Sequence, residues 1–221
     1  MKLLGFIPLA REGLIFILIS LFFTIIQTLF FSFNGFTVLL SLITLFIICF
    51  FRNPDRTTPK DNDSIISPAD GTVIFIGEVI ENQLLKRKMK KISIFMSVFN
   101  VHVNRMPLSG TIKHILYNPG KFFNAATPKS SLENEQNAIL VERSDKAEII
   151  FIQIAGFIAR RIVSYLTIGN SYQVGERMGM IRFGSRLDVY LPLDSEVKVK
   201  LKDKTRSGET ILAKLPLKGT L

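Results

Sequence analysis

The chain has 221 residues, a formal net charge of +10 and a hydrophobic fraction of 48%, which suits one domain of ordinary size plus an appendage. Its single cysteine, Cys49, excludes an intrachain disulfide and favours a cytosolic face for the soluble part. All but three charged side chains lie after residue 51. A basic soluble part behind an apolar N-terminus indicates an anionic membrane surface as partner at least as much as nucleic acid.

Two apolar runs open the chain. Residues 13–33 are uncharged and would span roughly 31 Å as a helix, about the hydrocarbon thickness of a bilayer. Asn34-Gly35 predicts a turn, and residues 36–51 predict a second helix of about 24 Å. We therefore expect residues 1–56 to form a helical hairpin that either crosses the membrane twice or lies in one leaflet.

Basic residues flank this hairpin on both sides. Arg11 precedes the first helix, and Arg52, Arg56 and Lys60 follow the second, so the positive-inside rule places both ends in the cytoplasm. A cleaved signal peptide is the rival interpretation. The apolar region is too long for one, and a second apolar run follows it directly.

Residues 57–221 predict a β-rich domain. After a polar linker, a turn at Ser67–Gly71 opens into a strand, and short strands separated by turn signals recur to the end of the chain. This pattern is typical of a β-rich sandwich or barrel. The sequence contains no metal-ligand cluster, P-loop or G-x-G-x-x-G, so we predict no metal.

Two candidate site residues lie in short polar segments. Asp70 is typical of a turn residue whose carboxylate accepts hydrogen bonds from backbone N–H groups. His102 follows an apolar strand, in a polar cluster with Asn100, Asn104 and Arg105. A lone histidine on a strand is usually structural, but a site can be built in such a cluster.

The densest basic run is Leu84–Lys91. Its cations are Lys86, Arg87, Lys88, Lys90 and Lys91. They can contact anionic headgroups, at about 1 kcal/mol for each basic residue near the surface, or form a solvated hairpin end. Aromatic residues do not interleave with the run as a base-stacking platform requires, so nucleic acid is not a predicted partner.

A Gly-Ser step introduces a later strand. Leu187–Leu191 alternates with period two, which predicts a half-buried strand. Gly184 lets the backbone bend before it, and Ser185 supplies a hydroxyl. A hydroxyl that reaches the preceding carbonyl is a nucleophile aimed at its own peptide bond. An ordinary turn into a strand is the alternative.

Five segments, together with the hairpin, resemble the short bacterial form of the phosphatidylserine decarboxylase family. They are S-P-A-D-G-T-V (67–73), V-H-V-N-R-M-P (101–107), P-G-K-F (119–122), G-E-R-M-G-M-I-R-F-G-S-R (175–186) and D-V-Y-L-P (188–192). The Arg-Phe-Gly-Ser-Arg element is the specific one, since biotinyl- and lipoyl-like β modules carry turns similar to S-P-A-D-G-x-V.

The resemblance implies a proenzyme that cleaves itself between Gly184 and Ser185, giving a β chain of residues 1–184 and an α chain of residues 185–221. Ser185 then becomes an N-terminal pyruvoyl group, the only cofactor implied, without metal or PLP. The amine of phosphatidylserine forms a Schiff base with it, CO₂ leaves, and phosphatidylethanolamine is released. The two chains stay associated, at the cytoplasmic face of a bacterial inner membrane. Homo-oligomer formation is left open.

By the same resemblance, His102 is the candidate base and Asp70 its orienting carboxylate, in an order that echoes a serine-protease triad. Longer members carry His-x-x-His where this chain has His102 and Arg105. His102 then serves both cleavage and decarboxylation, or Arg105 or a water substitutes. We also assign Arg105 and the basic run to substrate or membrane binding.

Other function classes fit the residues less closely. A membrane-tethered serine hydrolase would use Asp70, His102 and an intact Ser185, but the chain lacks G-x-S-x-G. A non-enzymatic, membrane-anchored β adaptor would use the S-P-A-D-G-T-V hairpin as its contact edge. A third alternative keeps the decarboxylase chemistry and changes the lipid backbone.

Overall fold

The computed structural model describes residues 2–3, 7–120, 134–156, 161–182 and 184–216. The chain divides into two compact units, Met1–Asp55 and Arg56–Leu221. The sequence analysis grouped Arg56 with the hairpin. In the structure its side chain forms ion pairs with Asp70 and Glu209 of the second unit.

Two apolar helices make up most of the first unit. They are α1 (Leu14–Phe31), after a 3-10 turn at Arg11–Gly13, and α2 (Gly35–Phe50); the short strands β1 (Lys2–Leu3) and β2 (Ile7–Pro8) pair before them. Asn34 caps α2, because its Oδ1 accepts hydrogen bonds from the backbone N–H groups of Phe36 at 3.0 Å and Thr37 at 3.2 Å. Such a cap satisfies donors that the first helical turn leaves without partners.

The helices pack through small and hydroxyl side chains. The hydroxyl oxygens of Ser20 and Thr44 lie 2.6 Å apart, and Gly13 lies so close to Phe51 that a Cβ would collide with its ring. Arg11–Phe31 is long and apolar enough to cross a membrane, with a mean hydropathy of 2.6 and only 6% of its most apolar window buried. α2 is apolar but shorter.

Short strands make up most of the second unit. They are β3 (Ser64–Ile66), β4 (Gly71–Ile80), β5 (Lys88–Met96), β6 (Val103–Arg105), β7 (Gly110–Asn118), β8 (Gln136–Glu142), β9 (Glu148–Ile154), β10 (Ile162–Ser164), β11 (Ser171–Tyr172), β12 (Arg177–Ile181), β13 (Ser185–Leu191), β14 (Glu196–Val197), β15 (Lys204–Thr205) and β16 (Ile211–Lys214).

Eight of these strands form one antiparallel sheet in the order β11-β7-β8-β9-β13-β5-β4-β15, which curls into a half-barrel. Two three-stranded sheets, β10-β12-β6 and β14-β16-β3, accompany it. The predicted class, a β-rich fold with an apolar helical N-terminus, is confirmed.

β13 is a central strand of the large sheet, paired along its length with β5 and β9. Leu187 and Val189 face the main core, whereas Tyr190 packs on the opposite face in a second apolar cluster. The prediction of a half-buried strand was wrong, because all seven residues of β13 are buried. The alternation separates an apolar face of β13 from a polar one, and the rest of the protein buries the polar face as well.

Candidate active site

The Gly-Ser step lies where β13 begins. Gly184 has a φ of +44°, in the left-handed region that residues with a Cβ seldom adopt. Ser185 follows as the first residue of β13 and is completely buried. The bend predicted from the sequence is therefore present, and the structure shows in addition that the hydroxyl after it is buried. Phe183 of the same motif lies outside the described residues.

Ser185 is enclosed by the neighbouring strands. Its Cα pairs with that of Met96, the last residue of β5, and its Oγ donates a hydrogen bond to Met96 Sδ at 3.4 Å. Arg186 pairs with Ile154 on β9, so the same register places Ser185 opposite Ala155. Ala155 is also fully buried. The hydroxyl therefore lies in a tight site with a weak acceptor as its partner.

His102 reaches this end of the sheet through the loop after β5. Asn100 Oδ1 accepts hydrogen bonds from the backbone N–H and hydroxyl of Ser97, at 2.9 and 2.8 Å, which holds the loop closed. The ring of His102 is buried, and its Nδ1 lies 3.0 Å from the carbonyl oxygen of Asn100. A carbonyl only accepts hydrogen bonds, so in the neutral ring Nδ1 carries the proton and Nε2 has the basic lone pair.

Asp70 lies in the turn before β4 and has other partners. Its carboxylate accepts hydrogen bonds from Arg56 Nη2 at 2.8 and 3.1 Å and from the backbone N–H of Ser207 at 2.7 Å. The backbone N–H of Arg105 donates to Pro68, which places this turn beside the far end of β6 from His102. Residues 102 and 105 are roughly 10 Å apart along an extended strand.

Arg105 occupies the second position of the family's His-x-x-His segment. Its Nη1 donates to the carbonyl oxygen of Gly175 at 3.0 Å, and its side chain runs beside Gly208. The sequence cluster around His102 is thus divided between the two ends of β6. Arg105 lies toward the turn that contains Asp70. His102 precedes the other end of β6, where Val103 pairs with Met180 near the end of β12.

A buried row of amides completes the surroundings of Ser185. Asn137 Nδ2 donates to Gln153 Oε1 at 3.0 Å, and Gln153 Nε2 donates to Asn104 Oδ1 at 2.9 Å. Asn104 Nδ2 then points at Met96 Sδ, 3.8 Å away. The sequence pattern marks Asn104 only as a neighbour of His102 and does not single out Gln153 or Asn137. The signal that could have indicated this row is Gln153 itself, a glutamine inside the otherwise mostly apolar strand 148–155.

The opposite face of β13 carries a buried cluster of charges. Arg186 Nε lies 2.9 Å from Asp188 Oδ1, and Lys91 Nζ lies 3.3 Å from Asp188 Oδ2. Lys91 also lies over the rings of Phe75 and Tyr190. Burial, and secondarily the charge of Asp188, raises the pKa of Tyr190 well above its usual value. This phenol therefore stays protonated at physiological pH.

The basic run is largely engaged within the protein. Lys88 pairs with Glu78 at 2.7 Å, and Arg87 pairs with Glu148 at 3.2 Å. Lys90 Nζ donates to the carbonyl oxygen of Ser195 at 2.7 Å, and Lys91 belongs to the buried cluster described above. Lys86 lies in the loop before β5 with a φ of +50°.

The surface cavity described below lies apart from Ser185, and none of the described residues forms a candidate metal site. In the part of the chain that the structure describes, no group of three or more His, Cys, Asp or Glu side chains is placed to hold a metal ion. A surface cavity of about 720 Å³ is lined by linker residues 58–64 and, among others, Arg143 and Gln173. Ser185 and His102 do not line it.

Comparison with known proteins identifies relatives that match most of the 221-residue chain. The family model for phosphatidylserine decarboxylase matches residues 43–213. A phosphatidylserine decarboxylase proenzyme of Geotalea uraniireducens is 48% identical, covering 95% of this chain and 97% of its own. One from Geobacter metallireducens is 47% identical with the same coverage of both chains. One from Pelobacter propionicus is 52% identical over 82% of each chain. The resemblance read from the five segments is confirmed.

Proposed function

This chain belongs to the phosphatidylserine decarboxylase family, and on that premise we propose that it cleaves itself between Gly184 and Ser185 to make a pyruvoyl group. The chain is an enzyme, and its reaction is the decarboxylation of phosphatidylserine to phosphatidylethanolamine. The observation that carries the proposal is the left-handed Gly184 followed directly by the buried hydroxyl of Ser185.

Cleavage begins with attack of Ser185 Oγ on the carbonyl carbon of Gly184. The carbonyl electron pair moves to oxygen, the C–N bond breaks, and the amide nitrogen takes a proton, which leaves an ester. Loss of the Ser185 Cα proton then expels the Gly184 carboxylate and leaves dehydroalanine. Tautomerisation and hydrolysis release ammonia, and the pyruvoyl group remains at residue 185.

His102 is the base that this sequence of steps needs. Its Nδ1–H is committed to the Asn100 carbonyl, so Nε2 is the nitrogen that accepts the Ser185 proton and returns it to the leaving amide. The Asn100 carbonyl thereby orients the ring, the task that a carboxylate has in a serine-protease triad. The resemblance implied Asp70 for that task, but the described contacts of Asp70 support a different one.

Asp70 and Arg56 connect segments on the two sides of the cut. Asp70 accepts from the backbone N–H of Ser207, and Arg56 pairs with Glu209, both on the 185–221 side. β13 also lies between β5 and β9, which belong to the 1–184 side. We propose that these contacts hold the two chains together after cleavage.

The site fits a pyruvoyl group at residue 185. Ser185 and Ala155 are fully buried, so the group would replace a small side chain in a dry, closely packed place. A pyruvoyl group supplies a carbonyl that takes the substrate amine and accepts the electrons of the bond to the departing carboxylate. The chain's own residues bury this position, and the Asn100 carbonyl holds the His102 ring in one tautomer.

The first unit anchors the enzyme to its lipid substrate in this proposal. The apolar side chains of α1 are mostly exposed, as lipid-facing residues would be. Arg11 and Arg52 flank the helices and place both ends on the cytoplasmic side by the positive-inside rule. Lys86, in the loop before β5, is then the member of the basic run best placed to meet an anionic surface.

A denaturing mass measurement on the purified full-length protein tests the proposal. We expect two chains divided at Gly184/Ser185, the smaller one beginning with a pyruvoyl group, and a single chain for Ser185→Ala. Ser93→Ala, at another buried serine of the same sheet, is the matched control and should be cleaved normally. An active wild-type chain that stays intact at 25.0 kDa would refute the proposal and favour a serine hydrolase.

A further inference from the structure

We propose that Asn104 is a further catalytic residue, whose side-chain N–H stabilises the oxyanion that forms on the Gly184 carbonyl during self-cleavage. Gln153 and Asn137 are positioning residues that fix which way the Asn104 amide faces. The inference rests on the self-cleavage proposed above and adds a donor that the chemistry of a peptide-bond attack requires.

The amide row decides the orientation of Asn104. A side-chain amide has a donor end and an acceptor end, so each hydrogen bond constrains the next. Gln153 receives a hydrogen bond from Asn137 at its oxygen and therefore offers its NH₂ group to Asn104. Asn104 uses its oxygen for that bond, and its own NH₂ group faces Met96 Sδ and the Ser185 end of the sheet.

The reversed row is less favourable. If all three amides turned, the Asn104 oxygen would face the sulfur of Met96, which has no proton to give. In the observed order the sulfur at least accepts weakly. The orientation with the donor toward Ser185 is therefore the one that the surroundings stabilise.

Met96 holds two donors with one weak acceptor. Ser185 Oγ and Asn104 Nδ2 lie 3.4 and 3.8 Å from the same sulfur. Both side chains are fully buried, and a buried donor without a good acceptor destabilises the fold. A thioether on a flexible side chain moves aside readily. An oxyanion that formed between these groups would give the amide a far better acceptor.

The attack develops charge on the Gly184 carbonyl oxygen, next to the Ser185 hydroxyl that shares the Met96 sulfur with this donor. Ser185 Oγ forms its bond to the Gly184 carbon while His102 takes the hydroxyl proton, and the carbonyl π electrons become the oxyanion. The Asn104 N–H donates to this oxygen until the C–N bond breaks and the carbonyl re-forms as an ester. The amide row orients the donor before the charge develops, so only the flexible Met96 thioether has to move.

A purely structural role predicts a different mutational result. An amide row that only fills the core would affect stability, and cleavage of the folded molecules would be unchanged. A donor to the oxyanion affects the cleavage rate at equal folded fraction. Removing one such donor typically lowers a rate by about 10²–10³-fold.

The test measures the rate of precursor cleavage in the full-length protein, normalised to the folded fraction by limited proteolysis. Asn104→Ala and the isosteric Asn104→Asp should each slow cleavage by about 10²-fold or more. Asn137→Ser, at the far end of the row, should slow cleavage less than either Asn104 variant, because Gln153 loses the donor that fixes its direction but can still donate to Asn104. Equal slowing by Asn137→Ser and Asn104→Ala, or wild-type rates in both Asn104 variants, would overturn the inference.

Gln153→Glu tests the orientation without touching Asn104. An ionised carboxylate at 153 only accepts, so the Asn104 amide must turn its NH₂ group toward it and away from the reaction centre. We expect slow cleavage that worsens, relative to wild type, as the pH rises and the new carboxyl ionises. A rate equal to wild type at every pH would contradict the positioning role. Absence of cleavage in the wild-type chain would instead refute the proposed function.

Discussion

The charge cluster on the face of β13 opposite Ser185 gives the sharpest stability prediction. Asp188→Asn removes the carboxylate that Arg186 and Lys91 share, and leaves two cations around an uncharged amide. The side chains of Asp188 and Arg186 are 1% and 4% exposed, so solvent cannot replace the lost charge. We expect both a less stable second unit and slower self-cleavage, since Arg186 directly follows Ser185.

The magnitude follows from burial. Breaking a buried ion pair by removing one partner costs about 3–5 kcal/mol. The exposed pair of Lys88 and Glu78, with side chains 59% and 47% exposed, sets the comparison. Glu78→Gln should barely change the free energy of unfolding, because solvent and salt screen an exposed ion pair. The two substitutions make the same chemical change on the same sheet, so burial is the main difference between them.

Unfolding is best measured in the uncleaved Ser185→Ala background, because a single chain keeps the equilibrium simple. The chain has no tryptophan, so pulse proteolysis across a urea series in detergent is preferable to fluorescence. We expect the urea midpoint to fall strongly for Asp188→Asn and barely for Glu78→Gln. Equal midpoints for the two variants would refute the claim that burial makes this cluster a major source of stability.

Three further predictions concern the candidate site and the basic run. His102→Gln should slow self-cleavage by about 10²–10⁴-fold, the usual worth of a general base; unchanged kinetics of precursor loss would remove it from that role. Asp70→Asn should leave cleavage near wild type but let the two cleaved chains separate at lower urea, because the contacts to Arg56 and Ser207 are weakened; blocked cleavage with unchanged association would return Asp70 to the chemistry. Lys86→Ala should weaken binding to anionic vesicles in a salt-dependent way; binding equal to wild type would favour a solvated loop.

Local pattern was sufficient for the elements and the family. Uncharged runs of helical length predicted the apolar hairpin, and short alternating runs between turns predicted the β-rich unit, because periodicity depends only on neighbouring residues. The Gly184-Ser185 step could also be recognised from the sequence, since a glycine followed by a serine at the start of a strand involves only neighbouring residues. The pattern could not tell that both faces of β13 are covered.

Partners distant in the sequence were decided by the tertiary structure alone. The sequence grouped His102 with Arg105, and the family resemblance joined His102 to Asp70, but an extended strand separates residues 102 and 105 by roughly 10 Å. The described contacts of Asp70 are with Arg56 and Ser207.

The row from Asn137 through Gln153 to Asn104 could not be read from the chain either, because its members come from three strands that only sheet register brings together. The residue pattern thus identified the family and predicted which peptide bond is cut. Which side chains surround the Gly184–Ser185 bond depends on which strands pair, and only the tertiary structure shows this pairing.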